Sequence, residues 1–156
     1  MIALARFVAT FGYVGYLPRA PGTWGSAAAL VPGVTIAWLW GPWVLLAAAF
    51  ALTLVGVWAF AVIEEVTGRH DPHEGVVDEA AGQWLALASA GPTAPDVLLA
   101  FVLFRVFDIV KPWPCDRIDA GRIRGWSGML DDVAAGAYAA LATLALRGFT
   151  DAWFGG

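Results

Sequence analysis

The chain has 156 residues, of which 60% are hydrophobic and only 14% charged, with a formal net charge of −4. Ordinary soluble domains are about 25% charged, so the composition points to a membrane-embedded protein, and it offers no basic stripe for nucleic acid. A single cysteine, Cys115, excludes an internal disulfide and a multi-cysteine zinc cluster. The length predicts one domain over residues 1–156.

Ile2–Tyr16 is apolar with interspersed glycines and predicts a first helix packed closely on a neighbour. Arg6 and the lack of a clean cleavage site argue against a signal peptide. Leu17–Gly25 is full of helix breakers and predicts a loop. Ser26 then opens an apolar helix to about Trp40, loosened at Pro32-Gly33. Gly41-Pro42 is the next turn, with Trp38, Trp40 and Trp43 around it, as expected where a chain passes from hydrocarbon to headgroups. Trp43–Ile63 holds 21 uncharged residues, about 31 Å of helix and enough to cross a bilayer. From Ala20 to Ile63 there is no charged side chain in 44 residues.

Glu64–Glu79 reads E-E-V-T-G-R-H-D-P-H-E-G-V-V-D-E, with six acids, two histidines and one arginine. Glu64 and Glu65 mark a helix leaving the bilayer. Val76–Ala90 predicts a helix ended by Gly91-Pro92. Pro95 suits the first turn of the next, which runs to about Val110 and is stopped by Pro112 and Pro114. Cys115–Gly128 predicts a polar, arginine-bearing connection, and Asp131-Asp132 opens a last helix over Val133–Leu146. The fold expected is all-α, a small polytopic membrane bundle of about five to six helices, some short or not fully spanning.

The charged residues are expected to meet. Asp78 lies 15 residues before Thr93 and Asp108 lies 15 after it. With Thr93 as the tip of a helical hairpin, both sit about 22 Å from the tip and so at one depth. Counting crossings puts the Pro18–Gly25 loop, the Glu64–Val77 loop, Lys111 and Asp131-Asp132 on that same side. Asp78, Glu79, Asp108, Asp131 and Asp132 then share one small region with Arg105 and Lys111. Gathered carboxylates at a membrane edge repel and protonate unless a cation sits among them. All-oxygen ligands suit a hard divalent ion, Mg2+ first and Ca2+ or Mn2+ behind it, while His70 and His73 keep zinc or manganese open. Arg105 and Lys111, with His73 near, suit an anion held against the metal, most naturally phosphate. The P-G-T-W-G-S stretch, with Thr23 and Ser26, adds a glycine-rich turn opening a helix, where free N–H groups favour phosphate.

Each feature has a plainer reading: an N-cap for Ser26, first-turn acids for the two carboxylate pairs, a helix-surface ion pair for Arg105 and Asp108. Their coincidence on one side favours a site. Arg19, Arg69, Lys111, Arg117, Arg122 and Arg124 fall on that side, with Arg6 and Arg147 opposite, a bias that predicts a cytoplasmic active face.

Three blocks carry a likeness: A-P-G-T-W-G-S (Ala20–Ser26), H-D-P-H-E-G-V-V-D-E (His70–Glu79), and F-R-V-F-D-I-V-K-P-W-P with G-M-L-D-D-V-A-A-G (Phe104–Pro114, Gly128–Gly136). In order and spacing they resemble the phosphatidylglycerophosphatase A family of bacterial membrane lipid phosphatases. The resemblance implies magnesium-dependent hydrolysis of the terminal phosphate of phosphatidylglycerophosphate, giving phosphatidylglycerol at the inner membrane, with the acidic pairs and Asp108 at the metal site. Other phosphatase patterns fail: the position six after Cys115 is Gly121, not the arginine of C-x5-R, and Ile118 stands where K-x6-R-P from Lys111 needs arginine.

The mechanism expected is metal-assisted hydrolysis, with Mg2+ on Glu79, Asp108, Asp131 and Asp132, and Asp78 or His70 as base. An aspartyl-phosphate formed on Asp108 or Asp132 stays open. The rival is a cation transporter or channel, which would place its acids at several depths.

Overall fold

The computed structural model describes residues 1–69, 72–120 and 123–154. Regular structure among them is helical throughout: α1 (Ile2–Ala9), a 3-10 turn (Val14–Tyr16), α2 (Pro21–Trp40), α3 (Pro42–Thr67), α4 (Val77–Leu87), α5 (Ala94–Val110), α6 (Cys115–Asp119) and α7 (Ser127–Phe154). The all-α bundle is as expected, with short pieces that the sequence did not separate.

The first is the break after α1, where one helix was expected through Tyr16. Thr10 Oγ1 donates to the Arg6 carbonyl (2.8 Å) and accepts the Tyr13 N–H (3.0 Å). Phe11, Gly12 and Tyr13 all take positive φ, at 45°, 68° and 71°. A hydroxyl that competes for local backbone groups ends the helix. The second is α6, a five-residue helix inside the expected connection.

Helix α2 starts at Pro21, not Ser26. Proline suits the first helical position because its fixed φ is already helical and it has no N–H to strand. Ser26 is therefore interior, its hydroxyl donating to the Gly22 carbonyl (2.8 Å). The helix is unbroken through Pro32-Gly33. A Cβ on Gly33 would lie 2.8 Å from the Trp84 ring, so this glycine serves close packing on α4. Helix α7 likewise starts at Ser127, placing Asp131 and Asp132 beyond its first turn.

Helix α4 is the post around which the others stand. It touches α1, α2, α3, α5 and α7, and its residues belong to all three hydrophobic clusters: Val77 and Ala81 in one, Ala80, Trp84 and Leu87 in the second, Ala86 in the third. The Trp84 indole donates to the Ala29 carbonyl (2.8 Å). At 11 residues, about 16 Å, α4 cannot span a bilayer. Among the described residues two helices are long and apolar enough to do so, α3 and Ser127–Phe149 of α7. Only 33% of the apolar stretch of α3 is buried by the rest of the chain, and Phe50, Leu54, Val55 and Trp58 point outward. An exposed apolar surface of this extent suggests membrane association.

One placement differs from the expectation. Arg6 lines a cavity with Thr67, Arg69 and Glu74, so it lies at the Arg69 end of the bundle and not opposite it. Helix α1 is eight residues long, too short to carry Arg6 across.

Candidate active site

The N-terminal turns of α2 and α4, the early part of α7 and the C-terminal end of α5 meet at a cavity of about 360 Å3. The meeting is set by glycine. A Cβ on Gly82 of α4 would collide with the Asp132 carbonyl and the Phe104 ring, and one on Gly136 of α7 would strike the Gly82 carbonyl. The two backbones therefore cross in direct contact, as small residues allow. Each crossing glycine follows an aspartate by one helical turn, Asp78 before Gly82 and Asp132 before Gly136. One turn towards the same end from a shared crossing point, the two carboxylates must meet.

Five acids line the cavity: Asp78, Glu79, Asp108, Asp131 and Asp132. They are arranged in two ways. Asp108 Oδ2 accepts from Arg105 Nη1 at 2.5 Å, and Asp131 Oδ2 accepts from Lys111 Nζ at 2.7 Å. Asp78, Glu79 and Asp132 instead bring one carboxylate oxygen each to within 4.8 Å of one another. The Glu79 N–H donates to Asp78 Oδ1 (3.0 Å), while Glu79 Oε2 is buried with no hydrogen-bond partner. Burial pushes the Glu79 carboxyl above its ordinary value, with the Asp78 hydrogen bond opposing and Asp108 adding to the rise.

Five carboxylates against two cations give the lining a formal charge of −3. A phosphate would be repelled from such a pocket alone. A divalent ion on the Asp78–Glu79–Asp132 oxygens would cut the formal charge from −3 to −1 and set positive charge where a phosphate oxygen could approach, and all-oxygen donors with an orphaned Glu79 Oε2 fit a hard ion.

Gly22 lets the first turn of α2 approach this group: a Cβ there would strike Glu79 Oε1 and lie 3.4 Å from Arg105 Nη1. Arg105 Nη1 also donates to Ser26 Oγ (3.2 Å). The rim is held in unusual backbone. Arg19, Ala20 and Lys111 have φ of 61°, 47° and 46°, a conformation that costs non-glycine residues about 1–3 kcal/mol and that collects at functional sites. At Lys111 it turns the chain after α5 as the ammonium reaches Asp131.

Of the expected anion ligands, Arg105, Lys111 and His73 line the cavity. Ser26 is fully buried behind Arg105, and Thr23 is exposed outside the lining. His70 and Arg122 lie outside the described residues. Sequence reasoning missed Gly22, Gly82 and Gly136 as builders of the site. For the crossing pair the signal was available as a shared D-x-A-A-G, Asp78–Gly82 and Asp132–Gly136.

A sequence profile described as phosphatidylglycerophosphatase A matches residues 7–147. The phosphatidylglycerophosphatase A of Haemophilus influenzae is 35% identical over 134 residues, covering 85% of this chain and 82% of that protein. The Escherichia coli protein of the same name is 35% identical over 129 residues, 81% of this chain and 73% of its own. A putative phosphatidylinositol-3-phosphatase of Bacteroides thetaiotaomicron is 36% identical over 136 residues, 80% of this chain and 81% of its own. No solved structure matches. With the profile spanning nearly all of a chain whose acid pairs gather in one cavity, the chain belongs to the phosphatidylglycerophosphatase A family.

Proposed function

We propose that the chain is a magnesium-dependent lipid phosphomonoesterase that converts phosphatidylglycerophosphate to phosphatidylglycerol and inorganic phosphate. The observation that carries this reading is the convergence of Asp78, Glu79 and Asp132 within 4.8 Å of one another, in a cavity that also holds Arg105 and Lys111. An ion path would spread its acids along the bundle; these share one cavity. Family membership and the names of the relatives support the same chemistry.

Asp78, Glu79 and Asp132 would hold the ion, with Asp108 and Asp131 close by. A divalent ion held there would supply Lewis-acid charge to the phosphate oxygens and lower the pKa of water. Arg105 and Lys111 offset the charge on the non-bridging oxygens, which is most of what phosphoryl transfer asks of a protein. Asp78 or His70 takes the proton of the attacking water. The new bond joins water oxygen to phosphorus, the ester oxygen leaves to the glycerol headgroup, and a proton restores its hydroxyl. The apolar outer faces of α3 and α7 keep the acyl chains in lipid, so the headgroup enters from the side. The basic end of the bundle, now including Arg6, faces the cytoplasm of a bacterial inner membrane.

The named Bacteroides relative favours a second reading at the level of headgroup, an inositol lipid phosphate. Phosphate release from each lipid in mixed micelles, with chelator and with Mg2+, Mn2+ or Ca2+ added back, tests both. The expected result is release from phosphatidylglycerophosphate that stops with chelator and returns with Mg2+. Release that ignores chelator would remove the metal from the reaction, and release only from the inositol lipid would transfer the assignment.

A further inference from the structure

Gln83 is fully buried, and neither its Oε1 nor its Nε2 has a hydrogen-bond partner. A buried amide left so loses its hydration with nothing in return, and protein interiors rarely tolerate it. Two further orphans lie in the same part of the bundle, Arg105 Nε and Glu79 Oε2.

Helix geometry fixes where Gln83 faces. Gly82 meets Phe104 and the Asp132 carbonyl, and Trp84 meets Ala29 on α2. Gln83 lies about 100° round the helix from each, towards the gap between α2 and α5. It sits one turn beyond Glu79 on the same face of α4. Ser26 and Arg105 occupy that gap from the other two helices, joined by the 3.2 Å hydrogen bond. The orphans balance as chemistry: Arg105 Nε–H and the Gln83 amide hydrogens donate, and Gln83 Oε1 and Glu79 Oε2 accept.

We propose that Gln83 is a positioning residue for Arg105, acting through a buried water that bridges its amide to Arg105 Nε–H and Glu79 Oε2. A buried water needs two to four polar partners, and these three side chains supply them. Among the described residues, the hydrogen-bond partners of Arg105 are met through Nη1, by Asp108 and Ser26. A second anchor at Nε fixes the guanidinium plane and leaves the Nη2 edge for the anion, and a planar fork recognises phosphate only when its plane is set. The inference rests on Arg105 facing a phosphate in the proposed reaction.

The test is a double-mutant cycle on the full chain in detergent with Mg2+. Gln83→Met keeps length and removes the amide; Arg105→Lys keeps charge and removes Nε–H. Two quantities are read: kcat/KM for phosphate release from lipid, and affinity for orthovanadate, a phosphate mimic. Gln83→Met is expected to lower both about tenfold, the loss of one hydrogen bond to a charged group, and to lower neither further in the Arg105→Lys background. Equal losses in the two backgrounds, or no loss in either, would overturn the role. If Gln83→Met does not fold, Gln83→Leu is read in the same cycle. Vanadate affinity with this dependence in a chain that releases no phosphate from lipid supports Gln83 and sinks the reaction. Hydrolysis indifferent to Gln83 does the reverse.

Discussion

The acids of the cavity differ in what each already holds, and that decides their substitutions. Asp131 has Lys111 at 2.7 Å and Asp108 has Arg105 at 2.5 Å, whereas Asp132 stands with Asp78 and Glu79. Asp132→Asn should therefore raise the Mg2+ concentration for half-maximal phosphate release by at least about 100-fold, since even outer-shell partners of a metal contribute 10–100-fold. Its melting temperature without metal should hold or rise, because one of three crowded carboxylates is gone. Asp131→Asn should shift the Mg2+ requirement far less and lower the melting temperature, by releasing Lys111. Metal titrations of activity with thermal unfolding of the two variants check this, and similar Mg2+ requirements would remove the distinction. At this scale the sequence was readable: charged side chains beside long apolar runs have few uses, and all five acids line one cavity. What it withheld was the division of labour among them, which depends on ångström-level neighbours. Gln83 was also hidden, for a glutamine in an apolar helix looks like any surface polar residue until its burial is known.

Helices carried a different kind of information. Spans with long apolar periodicity, α3 and α5, fell within a few residues of expectation, because apolar length and flanking prolines are local signals. The starts of α2 and α7 did not. Pro21 and Ser127 begin these helices several residues early, so residues that look like caps or first-turn acids become interior ones with tertiary partners. The crossing of α4 and α7 was legible only after the fact, as two copies of D-x-A-A-G, Asp78–Gly82 and Asp132–Gly136. It is also the most exposed to a single change. Gly136→Ala places a methyl against the Gly82 carbonyl; overpacking of this kind costs about 1–3 kcal/mol, and the helices would separate just above the Asp78 and Asp132 carboxylates. The variant should lose both stability and Mg2+-dependent release. Gly148→Ala, on the same helix with nothing within 4 Å, should leave activity unchanged and stabilise by about 0.5–1 kcal/mol, the ordinary helical preference for alanine over glycine. Chemical denaturation of the pair separates crossing from propensity, and equal effects would show that the crossing does not set the site.

Over the whole molecule, most of the exposed tryptophans and tyrosines sit at two levels. Trp38, Trp40 and Trp43 are exposed at the junction of α2 and α3, and Tyr13, Tyr16, Trp24 and Trp113 are exposed near the cavity. Along α2, Trp24 and Trp40 are 16 residues apart, about 24 Å of rise, which approaches the hydrocarbon thickness of a bilayer. On the proposed membrane placement the cavity would lie at headgroup depth, where the terminal phosphate of a lipid would be met. The described Lys and Arg residues crowd towards that level, with Arg6 and Arg69 lining one cavity and Arg105 and Lys111 the other. Arg147, which donates to the Ser89 carbonyl, marks the opposite end. By the positive-inside bias, this asymmetry predicts that the basic end faces inward. Cys115 is fully buried, so a Cys115→Ala background allows single thiols to be placed at exposed positions, Asp116→Cys by the cavity and Ala94→Cys at the α4–α5 turn. In right-side-out bacterial spheroplasts, a membrane-impermeant maleimide should label the Ala94→Cys thiol and reach the Asp116→Cys thiol only after lysis. The opposite pattern would turn the cavity outward, and its lipid phosphate would then have to be met on the far leaflet.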